Sequence, residues 1–250
     1  MDRMLILDSK TKDMKHLTSL LDADYYSVVE LIKLASGIKS DISGYSQILS
    51  GKTLAMLFEK PSLRTRVSFE AGIKQLGGNA IFIDSKNTTF KEKESVADTA
   101  AVLSRYCDIL MARLYSQDDI EEFARNSSVP VINGLTDLFH PCQILADLLT
   151  IFEKKGKLSG LKVAFVGDGN NNIVHDLLLG CCAVGIDISV GCPMENKPQD
   201  WIVEIAKQKA RVSGSEIAIT DDPIRAVEYA DVVYTDTWMS YHVSSEEKES

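Results

Sequence analysis

Short apolar runs of strand length alternate with stretches of helical periodicity along most of the chain. Strands that are separated by helices cannot pair as hairpins and are typical of parallel sheets. The pattern therefore predicts an α/β fold. In the first half, strands are predicted at 53–58, 79–84, 108–114 and 129–133, and helices at 62–76, 95–106 and 118–127.

The alternation is interrupted by one predicted helix at 144–154 and then restarts. In the second half, strands are predicted at 163–167, 187–191, 216–220 and 231–235, and helices at 172–184, 200–211 and 222–230. Two successive parallel sheets joined by one helix predict two domains, residues 1–143 and 144–250, with a cleft between them. The chain ends in an acidic run after the last predicted strand, so we expect the second domain to be incomplete and truncated before its C-terminal part.

Composition narrows the function classes. The 250 residues carry a formal charge of −9, which argues against a general nucleic-acid binder. No apolar run reaches the roughly 20 residues of a membrane span, and the N-terminus does not resemble a signal peptide, so we expect a cytoplasmic protein with no membrane partner. The five cysteines contain no C-x-x-C pair, which favours reduced thiols over disulfides or a zinc site. We read Cys181, Cys182 and Cys192 as buried structural thiols.

The first predicted strand is followed by a candidate anion site. The strand breaks at Pro61, and a helix restarts at Ser62 with Arg64, Thr65 and Arg66 in its first turn. Free N–H groups at a helix start, together with guanidinium groups, suit a phosphate. The alternative is a capped surface helix with two solvated arginines.

Three further segments lie where predicted strands end, at the edge of a sheet where α/β proteins bind ligands. Arg113 ends the third strand, and the alternative for it is a surface arginine. The sequence His-Pro-Cys-Gln at 140–143 offers an imidazole and an amide to a reacting carbonyl, or is simply a helix start. The turn Gly-Asp-Gly at 167–169 suggests a nicotinamide-dependent oxidoreductase only weakly, because Asn172 stands at the third glycine position.

Taken together, these segments resemble the aspartate/ornithine transcarbamoylase family. The resemblance is carried by Ser-Leu-Arg-Thr-Arg at 62–66, Arg113, His-Pro-Cys-Gln at 140–143, Gly-Asp-Gly-Asn-Asn-Asn at 167–172 and Asp-Thr-Trp-Met-Ser at 236–240. His-Pro-Cys-Gln is the form typical of the ornithine branch. The resemblance implies transfer of a carbamoyl group from carbamoyl phosphate to the δ-amine of ornithine, within arginine biosynthesis or catabolism, with no cofactor and no metal.

The resemblance also implies the site residues and a homotrimer, or a multiple of trimers, with sites shared between subunits. Catalysis is implied for Arg113, His140 and Thr65. Carbamoyl phosphate binding is implied for Ser62, Leu63, Arg64, Thr65, Arg113, His140 and Gln143. Binding of the amino acid is implied for Asn171 or Asn172, Asp236, Ser240 and Tyr241.

Several positions depart from the family pattern. Tyr241-His242 replaces the Met-Gly of ornithine enzymes, Asp176 stands where serine is common, and Thr89 replaces a cross-subunit glutamine, with Lys91 or Lys93 as possible substitutes. The cysteine segment that follows in family members is not part of the sequence. Other acceptors, namely putrescine, an acylated ornithine or aspartate, therefore stay open, as does a non-catalytic carbamoyl phosphate-binding homologue.

Overall fold

The structure is a computed structural model that describes residues 15–236. Its first half is a four-stranded parallel sheet of order β2-β1-β3-β4. The strands are β1 (Thr53–Phe58), β2 (Asn79–Asp84), β3 (Ile109–Arg113) and β4 (Val131–Leu135), and the helices are α1 (Tyr25–Ser40), α2 (Ile42–Tyr45), α3 (Leu63–Gln75), α4 (Val96–Leu103) and α5 (Gln117–Asn126).

The second half is another four-stranded parallel sheet, of order β7-β6-β5-β8. The elements are α6 (Pro141–Lys155), β5 (Lys162–Val166), α7 (Asn172–Val184), β6 (Asp187–Gly191), α8 (Asp200–Ser213), β7 (Ile217–Thr220), α9 (Pro223–Val227) and β8 (Val232–Tyr234). All pairings within both sheets are parallel, which confirms the predicted α/β class with two successive parallel sheets. The predicted domain boundary at 143/144 lies inside α6 and stays a prediction.

Both faces of the first sheet are covered. On one face, Ala55, Leu57 and Leu110 pack with residues of α4 and α5 in one apolar cluster. On the other face, Met56 and Met111 pack against Ile73 of α3. The ends of these buried strands therefore lie at one edge of the sheet, where Arg113 ends β3 and Ser62 follows β1.

Helix α1 belongs to the core of the second half, although it precedes the first sheet in sequence. Its buried residues Val28 and Ile32 share one apolar cluster with Leu148 of α6 and Leu177 of α7. The segment before α1 runs along the first sheet, where Leu17 bridges Ile132 of β4. Residues 15–40 therefore contact both halves of the molecule.

Some predicted boundaries are wrong. Apolar residues recur at helical spacing from residue 17 to residue 40 and predict one helix there, but α1 begins only at Tyr25, because Asp24 and Ser27 form a capping box. Helix α6 begins at Pro141 rather than at residue 144, since proline is well suited to a first helical turn. The helix predicted at 222–230 ends at Val227, and Tyr229 beyond it has a φ of 57°.

None of the helices between residues 15 and 236 is both long enough and apolar enough to cross a membrane.

Candidate active site

A chain of polar contacts joins the start of α3 to the end of β3. Ser62 is the N-cap of α3, and its Oγ accepts a hydrogen bond from the backbone N–H of Thr65 (3.3 Å) and donates to Thr65 Oγ1 (3.0 Å). Nη1 of Arg113 lies 3.5 Å from the same Thr65 Oγ1 and 3.4 Å from the carbonyl oxygen of Gly134. The sequence predicted only that the start of α3 and Arg113 lie at the same edge of the sheet. The structure shows that the two are in contact.

Arg113 is deeply placed for a charged residue, since only 8% of it is exposed. Gly134 on the neighbouring strand leaves room for Met111, because a Cβ at that position would lie 2.6 Å from Met111 Sδ, whereas its 3.5 Å distance to Arg113 Cβ would be an ordinary contact. A guanidinium held beside a helix N-terminus concentrates positive potential where an anion would bind.

His140 lies at the N-cap position of α6, close enough to Arg113 for the two to interact electrostatically. Burial, and secondly the positive charge of Arg113, lower the pKa of His140 to about 4. The imidazole is therefore neutral at neutral pH. Its Nδ1 is buried and has no hydrogen-bond partner among residues 15–236. A buried polar atom without a partner is costly, so this nitrogen is a candidate contact for a bound ligand.

Gln143 lies in the first turn of α6, and its side-chain amide makes a hydrogen bond. Nε2 donates to Asp147 Oδ1 at 3.0 Å, and the other oxygen of Asp147 accepts from the hydroxyl of Tyr234 at 2.9 Å. Burial, as the largest cause, raises the pKa of Asp147, and burial also raises that of Tyr234. The three side chains connect α6 with the end of β8.

Two asparagines at the start of α7 have separate roles. Asn171 is the N-cap, and its Oδ1 accepts from the backbone N–H groups of Ile173 and Val174 at 2.9 Å each. Asn172 instead donates from Nδ2 to the carbonyl oxygen of Thr136 at 2.7 Å, in the loop after β4. Of the two candidates from the sequence, Asn172 is the one whose side chain reaches the loop between β4 and His140.

The remaining predicted residues occupy different environments. Leu63 and Arg64 are exposed in the first turn of α3, and Asp236 is exposed just after β8. Ser240 and Tyr241 lie outside the described residues. Arg66 does not supply a second guanidinium to the anion site, because its Nε binds Glu70 at 2.9 Å and its guanidinium stacks on Phe82. The second guanidinium near the helix start is that of Arg113.

Lys91 is engaged within its own chain. Its ammonium lies 2.8 Å from Glu59 and 2.5 Å from Asp119, and its backbone has a φ of 63°. Glu59 also accepts from the backbone N–H of Tyr115 at 2.9 Å. These pairs fasten the segment after β2 beside the β1–α3 turn.

Asp176 is a site residue that sequence reasoning missed. It is completely buried, and its two oxygens accept from the backbone N–H groups of Leu20 (3.0 Å) and His140 (2.7 Å). Burial raises its pKa to about 7. An aspartate within the buried apolar run of α7 was the available signal, since a carboxylate is rarely buried without partners.

No cluster of three or more histidine, cysteine or acidic side chains that could hold a metal ion occurs between residues 15 and 236.

Two family models match the chain in succession. Residues 15–153 match the model described as aspartate/ornithine carbamoyltransferase, carbamoyl-P binding domain, and residues 159–250 match the Asp/Orn binding domain of the same family. The chain belongs to the aspartate/ornithine carbamoyltransferase family. The predicted family is thereby confirmed.

Relatives within this carbamoyltransferase family agree over most of the chain. The ornithine carbamoyltransferase of Bacillus subtilis (strain 168) is 49% identical over 235 residues, which are 94% of this chain and 73% of that protein. That of Listeria innocua serovar 6a is 49% identical over 226 residues, 90% of this chain and 71% of that protein. The solved ornithine carbamoyltransferase of Pyrococcus furiosus has a TM-score of 0.90 and 43% identity, over 94% of this chain and 75% of that one.

These matches test two interpretations of the sequence, the nicotinamide site and the non-catalytic homologue. The Gly-Asp-Gly turn at 167–169 lies within the match to the amino-acid-binding domain, which removes the case for a nicotinamide site. The chain is an enzyme of the carbamoyltransferase class. It is shorter than its relatives, of which it spans about three quarters.

Proposed function

We propose that this chain transfers the carbamoyl group of carbamoyl phosphate to the δ-amine of L-ornithine, giving L-citrulline and phosphate. The observation that carries the proposal is the convergence at one sheet edge of the α3 start, Arg113 and a neutral His140, whose ring Nδ1 has no hydrogen-bond partner among residues 15–236. Identities of 49% to ornithine carbamoyltransferases support ornithine as the acceptor.

The phosphate would lie at the start of α3. Ser62, Leu63, Arg64 and Thr65 belong to the cap and first turn, where backbone N–H groups have no partner inside the helix. Arg64 is exposed there and adds a cation that can grip phosphate oxygens bidentately.

The carbamoyl carbonyl would be polarised from the other side. Arg113, Thr65 and His140 can each donate a hydrogen bond to its oxygen, and these bonds strengthen as the oxygen becomes negative during attack. A neutral imidazole can donate from one nitrogen, and a pKa of about 4 makes His140 too weak a base to take the proton of the incoming amine at neutral pH. Gln143 would accept a hydrogen bond from the carbamoyl NH₂.

The amino acid would be held by the second domain. Asn172 would bind its α-amino acid part and Asp236 its amino groups, and we assign Ser240 and Tyr241 to the same subsite from the family pattern. The uncharged amine nitrogen bonds to the carbonyl carbon, the carbon–oxygen bond breaks with its electron pair staying on phosphate, and the proton lost by the nitrogen passes to the departing phosphate. Holding both substrates converts a bimolecular reaction into an effectively unimolecular one.

The test is a substrate panel on the purified 250-residue chain. We expect citrulline formation from carbamoyl phosphate and ornithine, and little product with putrescine, acetylornithine or aspartate. Faster turnover with another amine would replace ornithine as the acceptor. Binding of carbamoyl phosphate by calorimetry with no product from any amine would instead favour a non-catalytic binding homologue.

Replacing Arg64 by alanine should weaken carbamoyl phosphate binding. A charge-assisted bond to phosphate contributes about 1.5–3 kcal/mol, so we expect a roughly 10- to 100-fold higher Kd by calorimetric titration. Arg125→Ala is the matched control, since Arg125 is an exposed arginine at the end of α5. Equal affinity of the Arg64 variant and the control would show that the phosphate does not lie at the α3 start.

We also propose a homotrimer. Leu63 and Val67 lie one helical turn apart on α3 and are 79% and 53% exposed, which leaves an apolar strip beside the phosphate site. Light scattering after gel filtration should give about three times the chain mass of 27.6 kDa. A monomer at micromolar concentration would contradict the trimer.

A further inference from the structure

Asp147 is a half-buried carboxylate on α6 that the proposed chemistry does not use. It follows Gln143 by one helical turn, so the two side chains lie on the same face. Gln143 Nε2 donates to its Oδ1, and Tyr234 donates its hydroxyl proton to Oδ2. Both carboxyl oxygens of Asp147 therefore accept hydrogen bonds from uncharged side chains, one on α6 and one on β8.

The hydrogen bond to Asp147 determines which end of the Gln143 amide is available to a substrate. A glutamine amide has a donor end and an acceptor end, and its orientation follows its hydrogen-bond partners. With the NH₂ group given to Asp147, the carbonyl oxygen Oε1 remains as the acceptor. The carbamoyl group presents an NH₂ donor, so the opposite orientation would place two donors against each other.

Tyr234 fixes the carboxylate in turn. It is the last residue of β8, two residues before Asp236, and its ring packs against Phe165 with ring centroids 6.0 Å apart. Its hydroxyl holds Asp147 from the opposite sheet to the one that carries Arg113. Burial is the largest cause that raises the pKa of Asp147 and of Tyr234, and the negative charge of Asp236 is a smaller one. Asp236, which follows β8, therefore lies close enough to interact with both side chains.

We propose that Asp147 and Tyr234 are a positioning pair that holds the Gln143 amide in the orientation required by the carbamoyl NH₂. The end of β8 in the amino-acid domain thereby affects binding of the first substrate. This inference rests on the proposed function, because it takes Gln143 as the contact to the carbamoyl amine.

The test is a double-mutant cycle on carbamoyl phosphate affinity, measured by calorimetry without ornithine. Tyr234→Phe keeps the ring packing and removes only the hydroxyl, so the fold should be retained, with Tyr229→Phe as the control at an 88% exposed tyrosine. We expect Tyr234→Phe to raise the Kd about 3- to 10-fold, the usual effect of one lost hydrogen bond. In a Gln143→Ala background, the same substitution should have no further effect.

Substitutions of Asp147 provide a second test of the positioning pair. Asparagine at 147 can still accept from Gln143, so Asp147→Asn should bind carbamoyl phosphate better than Asp147→Ala does. Equal weakening by both, or a Tyr234→Phe effect of the same size in both backgrounds, would show a merely structural role. If Gln143→Ala itself leaves the Kd unchanged, the assigned carbamoyl contact is wrong; if Gln143→Ala weakens binding and Tyr234→Phe does not, only the positioning pair is wrong.

Discussion

Replacing Arg113 by alanine should lower kcat by about 10²- to 10³-fold, which is the usual cost of removing one oriented donor from a developing oxyanion. Arg113 is suited to this role because it is nearly buried and lies beside Thr65 and His140 at the edge where β3 ends. In such a site, solvent screens the guanidinium less than it would at the surface. The measurement is steady-state citrulline formation with both substrates saturating.

The conservative variant Arg113→Lys separates charge from geometry. Lysine keeps the positive charge but cannot donate in a planar fork, so we expect it to recover only part of the lost rate. The alanine variant should also raise the pKa of His140, because the charge of Arg113 is one of the two causes that depress it. A change in kcat of less than about threefold in Arg113→Ala would remove Arg113 from the reaction, given the size of effect expected for an oxyanion donor.

Much of the fold could be predicted from local sequence. Strands β1, β2 and β6 and helix α7 have the predicted bounds, because apolar runs and turn residues determine them locally. Ser62 could be predicted as the start of a helix, since serine is among the preferred N-cap residues. Arg113 could be placed at a sheet edge, because strand ends in a parallel sheet share one side.

The rest depended on contacts between distant segments. Nothing local to Asp176 indicates that it binds Leu20 and His140, because these partners lie on other elements. The i,i+4 spacing of Gln143 and Asp147 was visible in the sequence, but the contact to Tyr234 depends on how β8 is placed against α6. The start of α1 was missed because apolar spacing alone does not reveal the cap at Asp24.

The N-terminal segment shows why Asp176 matters for the site. The carbonyl oxygen of Thr18 accepts from Asn133 Nδ2 at 2.8 Å, so this segment is fastened to β4. Two residues later, Leu20 is fastened to α7 through Asp176. The same carboxylate holds the backbone of His140. One buried side chain therefore ties together the N-terminal segment, the second domain and the residue before α6.

Replacing Asp176 by asparagine should destabilise the protein, and by an amount that depends on pH. Asparagine has one acceptor oxygen, so one of the two backbone N–H groups would face a donor, which costs about 1–3 kcal/mol. The pH dependence follows from the pKa of about 7 in the folded protein, against an ordinary value of 3.8. Between these values the unfolded chain releases the proton and the folded chain retains it. The contribution of Asp176 to the free energy of unfolding therefore falls as pH rises from about 4 to about 7, and is constant above that.

Urea unfolding at several pH values tests this directly. The stability difference between the parent chain and Asp176→Asn should be largest at the acid end and shrink with a slope of up to about 1.4 kcal/mol per pH unit. Asp108→Asn is a control in which the pKa is shifted in the opposite direction. The hydrogen bond from the Lys52 side chain is the largest cause that lowers the pKa of Asp108. The contribution of Asp108 to the free energy of unfolding should therefore stay constant above about pH 4 and be lost only below it. A stability difference for Asp176→Asn that does not vary between pH 4.5 and 8 would show that its carboxyl is ionised throughout, and that burial does not govern it.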